Sequence, residues 1–149
     1  MNMGTGELSG SARRLREELL NAGLIDWVSM SEADGRAAKY CPEVLKPQRQ
    51  ELVLDTLREL VDEGLFTAGS LDTPDGRFGA FDEALDDVMA RIRSAYVDNY
   101  DDTSRWVFRF WFELTDKGTD AAQETERGRE IARAVEADMR RLAEERQQP

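Results

Sequence analysis

The stretch that decides the fold is LVDEGLF at residues 60–66, where a helix turns directly into a strand. Upstream of it, apolar residues recur at helical spacing from Val53 to Val61, and Pro47 suits the first turn of such a helix. Gly64 can adopt the positive φ that ends a helix and lets the chain reverse. We therefore expect a helix over residues 47–63, followed at once by a strand over residues 65–67.

A second junction, FELTDKG at residues 112–118, has the opposite order, from a strand into a helix. Aromatic and apolar side chains alternate along the preceding residues, which predicts a strand over residues 105–114 with one face made by every second residue. Those residues are Trp106, Phe108, Phe110, Phe112 and Leu114. Thr115 is placed to cap a long C-terminal helix over residues 116–147, in which Gly118 and Gly128 are weak points.

These two junctions resemble the winged-helix fold. In that family a third helix commonly passes through an L-V-x-x-G-L stretch into the first wing strand, and the second wing strand leaves through L-T-x-x-G into a helix. The resemblance covers residues 15–122, and the chain also looks similar to small actinobacterial proteins of unassigned role that carry this frame with an added helix. It implies an α+β, mostly helical, winged-helix-like fold with a helix inserted between the wing strands and a long C-terminal helix.

The remaining organisation follows from turn residues and periodicity. We expect a flexible tail over residues 1–10 and a single domain over residues 11–149, with further helices over residues 11–22 and 31–40. The inserted segment, residues 71–104, departs from a short wing because it carries an amphipathic helix over residues 81–96. That helix is expected to pack on the sheet face of Val107 and Trp111, or on a partner.

Charge narrows the choice of function. The chain has 20 basic and 31 acidic residues, a net charge of −11, and residues 51–100 alone carry four basic and twelve acidic side chains. Acidic residues concentrate in the middle of the chain, and four of those in the inserted segment are spaced to share one face of the predicted helix. This candidate partner surface consists of Asp82, Glu83, Asp86, Asp87, Asp98, Asp101 and Asp102. A solvated helix N-terminus is the alternative interpretation of the first four.

We therefore expect a non-enzymatic, acidic protein-binding module, of the immunity or antitoxin type, that binds a basic protein or a second copy of itself. The alternative is a winged-helix transcriptional regulator that binds DNA as a dimer through Arg49, Arg58 and Arg77 and pairs through its C-terminal helix. Cations must lie where the phosphates lie, and the predicted third helix and insertion are both net negative, so nucleic acid is disfavoured.

Other chemistries find little support in the residues. The chain has no histidine and one cysteine, Cys41, which we expect to be inert and partly buried. No nucleotide, metal or nucleophile motif occurs, so no enzyme activity, cofactor or metal is expected. Arg109 and Glu113 are interpreted as an ion pair on one strand face, with a catalytic carboxylate as the alternative.

The aromatic run over residues 106–112 is interpreted as core, with a base-stacking platform as the alternative. The N-terminus lacks the basic and apolar regions of a signal peptide, and no apolar run is long enough to span a membrane, so a cytoplasmic location is expected.

Overall fold

Six α-helices and a small four-stranded antiparallel sheet form the described part of the chain, residues 5–148, in the computed structural model, with side chains described from residue 9. The predicted α+β, mostly helical class is confirmed. The elements are α1 Thr5–Ile25, β1 Val28–Ser29, α2 Met30–Tyr40, α3 Lys46–Asp62, β2 Phe66–Ser70, β3 Gly79–Ala80, α4 Leu85–Tyr96, a 3-10 turn Thr103–Arg105, β4 Trp111–Leu114, α5 Asp116–Ala122 and α6 Glu126–Gln147.

The sheet joins strands that are far apart in the sequence. Its order is β1-β4-β2-β3, and all the pairs are antiparallel. Phe112 of β4 lies opposite both Val28 of β1 and Ala68 of β2, so β4 lies between these two strands. The sheet contacts the first three helices, β4 with α1, β1 with α2 and β2 with α3. The β2–β3 hairpin, which the sequence analysis missed, turns at Gly76, whose φ is +69°.

The predicted helix boundaries at the two junctions are confirmed. Gly64 has a φ of +76°, and the chain passes from α3 into β2 at this point. Thr115 Oγ1 accepts a hydrogen bond from the backbone N–H of Gly118 at 3.0 Å and so caps α5. The helix predicted over residues 31–40 is α2, and Ser29 caps it through the N–H of Glu32.

One hydrophobic core joins the helices α1–α5 with the strands β1, β2 and β4. Its fully buried side chains include Leu19 of α1, Leu57 of α3, Phe112 of β4 and Ile92 of α4. Cys41 also lies in this core and is fully buried rather than partly buried, and this burial raises the pKa of its thiol.

The inserted helix α4 packs chiefly on α3, so the expectation that it packs on the sheet face of Val107 and Trp111 is wrong. It also begins at Leu85, four residues later than predicted. The reason is that the N–H of Phe81 donates to the carbonyl of Ala68 at 3.0 Å, which keeps this part of the chain extended along β2. Asp82 and Glu83 therefore precede the helix.

The strand predicted over residues 105–114 forms only in its second half, as β4. Residues 103–109 instead form turns, with the N–H of Val107 donating to the carbonyl of Thr103. Trp106 causes this, because its indole N–H donates to the carbonyl of Tyr100 at 2.8 Å while its ring packs between Tyr96 and Tyr100. Phe108, expected in the core, is 69% exposed.

The single C-terminal helix predicted over residues 116–147 is two helices, α5 and α6. The break falls between Ala122 and Glu126, and Thr125 caps the second helix through the N–H of Gly128 at 3.0 Å. The close approach of the two helices at Gly128 permits the break, since a Cβ there would lie 1.7 Å from the carbonyl oxygen of Ala122.

Of the tail predicted over residues 1–10, residues 5–10 belong to α1, and residues 1–4 lie outside the described part. The glycines at positions 6 and 10 lower the helix propensity of this stretch but, unlike proline, do not end a helix. Ser11 lies inside α1, where its hydroxyl donates to Glu43 at 2.9 Å. Among the described residues, no helix is long and apolar enough to cross a membrane.

Candidate functional site

The basic residues proposed for DNA contact do not meet on one surface. Nε of Arg49 donates to Oδ1 of Asp34 at 3.2 Å, and only 17% of the Arg49 side chain is exposed. Arg58 pairs with Asp86 at the start of α4 at 2.6 Å. Arg77 lies in the turn between β2 and β3. Two of the three arginines are therefore already paired with carboxylates, and the positive ridge that a DNA reader needs is absent from these residues.

The exposed face of α3 instead carries a row of carboxylates. Glu51, Asp55 and Glu59 are spaced four residues apart and are all exposed, so they project from one side of the helix. Together with α1 they line a groove of about 500 Å³ whose lining also includes the apolar side chains of Ala12 and Leu52. We call this the α1–α3 groove. The four-residue spacing could have revealed this row, although the prediction used only the net charge of the helix.

The groove keeps negative charge after its internal ion pairs are counted. Glu51 receives two hydrogen bonds from Arg93 of α4, at 2.6 and 2.7 Å, and these hold the pKa of Glu51 below its usual value. Among the described residues, neither Asp55 nor Glu59 has a basic partner within ion-pair distance. Burial, followed by repulsion from Glu51, raises the pKa of Asp55. A cation entering the groove would relieve that repulsion.

The acidic residues predicted as the partner surface divide between the two ends of α4. Asp82, Glu83, Asp86 and Asp87 lie at its beginning, where Glu83 pairs with Arg91 at 2.9 Å and Asp86 pairs with Arg58. Because Asp82 and Glu83 precede the helix, the four do not share one helical face.

The other three acids follow the end of α4. Asp98, Asp101 and Asp102 are all exposed, and hydrogen bonds from Ser104 and Arg105 lower the pKa of Asp102. The 12 residues of α4 span about 18 Å and separate these three acids from the four at its beginning. The predicted partner surface is therefore two patches rather than one.

A buried polar cluster fixes α4 to the helices beneath it. Asp34 of α2 accepts hydrogen bonds from the hydroxyls of Tyr96, at 2.5 Å, and Tyr100, at 2.7 Å. Arg49 of α3 binds the same carboxylate and also donates to the Tyr100 hydroxyl at 3.3 Å. Asp34 and Tyr96 are buried, so the cluster is structural, and residues 34 and 96 are too far apart in sequence for their contact to be predicted.

The ion pair predicted between Arg109 and Glu113 does not form. Glu113 accepts a hydrogen bond from the indole N–H of Trp27 at 2.9 Å, while Nε of Arg109 donates to the carbonyl of Ser104 at 3.2 Å. The turn over residues 103–109 takes Arg109 out of the strand, which separates the two charges. Phe108 and Trp111, from the aromatic run, line a cleft that also contains Arg109.

No cluster of metal-ligating side chains occurs within residues 5–148. No protein-family model, curated protein or solved structure matches the chain.

Proposed function

We propose that the chain is a winged-helix variant in which the wing carries an added helix. The order of elements supports this, since three helices and a short strand precede β2, and β4 returns between β1 and β2. The insertion, residues 71–104, begins after β2, contributes β3 and α4 and ends before β4, so it leaves the three-stranded part of the sheet, β1-β4-β2, uninterrupted. The third helix of this frame, α3, is the element that would face DNA in a DNA-binding winged helix.

We propose that the protein is an acidic protein-binding module that receives a basic segment of another protein in the α1–α3 groove. The observation that carries this proposal is the row Glu51, Asp55 and Glu59 on the exposed face of α3. A lysine or arginine can lay its alkyl stem along Ala12 and Leu52 while its charged end meets Asp55 or Glu59. The partner is therefore a polypeptide with basic side chains on one face.

The overall charge supports fast association with such a partner. The net charge of −11 attracts a basic protein over a distance, and the exposed acids at both ends of α4 extend this field beyond the groove. Small acidic proteins that neutralise a basic enzyme, as immunity proteins and antitoxins do, use this arrangement. We infer a role of that class, without enzymatic activity of its own.

The regulator that binds DNA through Arg49, Arg58 and Arg77 remains the second candidate, and the charges of α3 weigh against it. Each phosphate brought near α3 would meet the carboxylates of Glu51, Asp55 and Glu59 before it met an unpaired arginine. Phosphate neutralisation supplies most of the affinity of DNA-binding proteins, so a helix that repels phosphate is poorly suited to it.

The groove can be tested with a synthetic helical peptide that carries lysine at every third or fourth position. Backbone amide NMR of the full chain, titrated with this peptide at low salt, should show shifts concentrated at residues 9–12 and 47–59. The double variant Asp55→Asn, Glu59→Gln should weaken binding by about fivefold, since each exposed charge pair is worth about 0.5 kcal/mol. The variant Asp120→Asn, Glu130→Gln removes the same two charges from exposed positions on α5 and α6 and serves as the control.

Two results would contradict the proposal. One is equal weakening by the groove variant and the control, which would mean that only the net charge matters. The other is a gel shift of duplex DNA at low salt that Arg77→Gln abolishes, because this would favour the regulator. Binding that the groove variant weakens and the control leaves intact supports the module.

A further inference from the structure

A second concave site lies on the other side of the inserted helix. It is a cleft of about 920 Å³ between α4 and the loop that leads into β4. Arg91 and Ala95 of α4 line this cleft, whereas Met89 and Arg93 line the contact between α4 and α3. The cleft is therefore distinct from the α1–α3 groove, and its volume is within the range of small-molecule sites, about 300–1,000 Å³.

An aromatic pair forms one wall of the cleft. The rings of Phe108 and Trp111 are stacked, with centroids 6.0 Å apart and planes 18° from parallel. The indole N–H of Trp111 donates to the carbonyl of Phe108 at 2.9 Å, which holds the two residues in register. Phe108 is nevertheless 69% exposed, so the pair presents an aromatic face to solvent that the core does not use.

Three arginines line the cleft, and Arg109 alone among them has no carboxylate partner within the described residues. Arg91 pairs with Glu83 and lies over the ring of Phe81, 4.8 Å from its centroid. Arg105 pairs with Asp102 at 2.9 Å. Arg109 uses only its Nε, toward the carbonyl of Ser104, so within the described residues its two terminal nitrogens have no carboxylate partner. A guanidinium held by one nitrogen keeps a forked pair of donors for an anion.

The charges around the cleft limit the ligand to a single negative charge. Asp72, which also lines the cleft, is a carboxylate that would repel a second charge on the ligand. Glu83 and Asp102 neutralise Arg91 and Arg105. One free guanidinium beside an exposed aromatic face therefore suits a ring that carries one carboxylate better than it suits a polyphosphate.

We propose that this cleft binds a small aromatic carboxylate of one or two rings. The ring stacks on the exposed face of Phe108 and Trp111, and the carboxylate accepts two hydrogen bonds from the terminal nitrogens of Arg109. Phe81 and Phe110, whose rings meet edge to face at 6.3 Å, supply further apolar surface among the lining residues. No bond is made or broken, so the site is a binding site rather than a catalytic one.

The test uses 2-naphthoate as the probe with the full-length chain, followed by calorimetry and by the NMR signals of Phe108, Arg109 and Trp111. We expect saturable binding of one equivalent. Two control ligands each lack one half of the probe: 2-naphthalenemethanol lacks the carboxylate, and acetate lacks the ring. Each should bind at least about tenfold more weakly than 2-naphthoate, which is the loss in affinity expected when one charge-assisted hydrogen-bonded contact is removed.

Two exposed substitutions separate the anion contact from the stacking contact. Arg109→Gln should weaken 2-naphthoate by about tenfold and should leave the alcohol unchanged, whereas Phe108→Ser should weaken both. The matched controls are Arg129→Gln on α6 and Met139→Ser, which is 64% exposed, and neither should change binding. The side chains of Phe108 and Arg109 are both exposed, so we expect the Phe108→Ser and Arg109→Gln variants to fold.

Several outcomes would overturn the proposal. They are the absence of saturable binding, equal affinity for the acid and the alcohol, unchanged binding in Arg109→Gln and Phe108→Ser, or displacement of 2-naphthoate by an oligonucleotide, which would make the cleft a base-stacking platform. The lysine peptide of the groove experiment should not compete with 2-naphthoate. Failure of either site therefore leaves the other one intact.

Discussion

At the scale of single residues, the buried carboxylate of Asp34 joins α2 to three other parts of the fold. Its carboxylate is the acceptor for Tyr96, Tyr100 and Arg49, and these three side chains come from α4, from the loop after it and from α3. Removal of its charge would leave Arg49 partly buried without a counter-ion, and a buried charge that loses its partner destabilises a fold strongly.

We therefore predict that Asp34→Asn lowers the free energy of unfolding by about 2–3 kcal/mol, measured by urea denaturation at neutral pH. The amide is nearly isosteric, so the loss reflects charge and hydrogen bonding rather than volume. Glu17→Gln, at an exposed position of α1, is the control and should change stability by less than about 0.5 kcal/mol. Equal effects of the two substitutions would show that the cluster does not stabilise the fold.

Tyr96 should make the stability sensitive to alkaline pH. Burial, with the neighbouring Asp34 carboxylate, holds the pKa of Tyr96 far above the usual tyrosine value of about 10. The folded protein then keeps a phenol proton that the unfolded chain loses. The contribution of Tyr96 is complete below about pH 10 and falls above it, by about 1.4 kcal/mol for each pH unit.

The measurement compares urea denaturation of the protein and of Tyr96→Phe between about pH 8 and pH 11. Tyr96→Phe is less stable at the lower pH, because Asp34 loses one hydrogen bond. The difference between the two proteins should shrink above about pH 10, since phenylalanine has no proton to lose. Stability curves that stay parallel over this range would contradict the prediction.

At the scale of elements, two glycines within helices have opposite roles. Gly128, in the first turn of α6, lies so close to the carbonyl of Ala122 that a Cβ would sit 1.7 Å from the oxygen. Gly35, within α2, is exposed and has no atom within 4 Å of the position of a Cβ. A gain in helix propensity from alanine is thus available at Gly35, whereas at Gly128 the clash outweighs it.

We predict that Gly35→Ala raises the free energy of unfolding by about 0.5–1 kcal/mol, and that Gly128→Ala lowers it by about 2 kcal/mol or more. Thermal unfolding followed by circular dichroism measures both, and each variant is the control for the other. A stabilising Gly128→Ala would mean that α5 and α6 can separate at little cost, and would remove the reason given for the break between them.

The same scale shows why one element differs from its prediction. Alternating aromatic residues over residues 105–114 satisfy the strand pattern, yet the pattern records only which residues are apolar and not what each can bond. Trp106 finds a carbonyl acceptor at Tyr100 and two aromatic rings in the insertion, and these contacts are available only after α4 has packed on α3. The tertiary contacts therefore override the local preference for a strand.

At the scale of the whole molecule, the insertion belongs to the same cooperative unit as the frame. Val88, Met89, Ile92 and Tyr96 of α4 lie in one core cluster with residues of α1, α3 and β4. A segment that shares its core with the rest of a small domain does not unfold on its own. The insertion therefore affects both proposed sites. Arg93 of α4 pairs with Glu51 of the α1–α3 groove, and Arg91 of α4 lines the cleft.

We predict that tryptophan fluorescence and far-ultraviolet circular dichroism give the same midpoint in urea. Trp106 packs on Tyr96 and Tyr100 of the insertion, so its emission, measured with Trp27 and Trp111 replaced by phenylalanine, follows the insertion, while the dichroism follows all the helices. Ile92→Ala, at a fully buried site of α4, should lower the free energy of unfolding by about 3 kcal/mol and should shift both urea midpoints down together. Leu142→Ala on α6, where the side chain is 44% exposed, is the control.

If the fluorescence and dichroism midpoints differ, or if Ile92→Ala shifts one more than the other, the insertion unfolds separately from the rest of the chain.

The sequence by itself determined the features that depend on neighbouring residues. These are the helix that ends just before Gly64, the cap at Thr115, the predominance of helix and the concentration of acidic charge in the middle of the chain. Each follows from the conformational freedom of one glycine, from a side-chain oxygen beside unpaired N–H groups, or from a count of charges.

Only the tertiary structure decided where charges and aromatic rings meet. The pairing of Arg49 with Asp34 and of Arg58 with Asp86, the lack of a basic partner for Asp55 and Glu59 among the described residues, and the position of Arg109 beside Phe108 all depend on how distant elements pack. The physical reason is that ion pairs and stacked rings act over a few ångströms in space. Residues 34 and 96, or 58 and 86, come that close only when distant elements fold against each other.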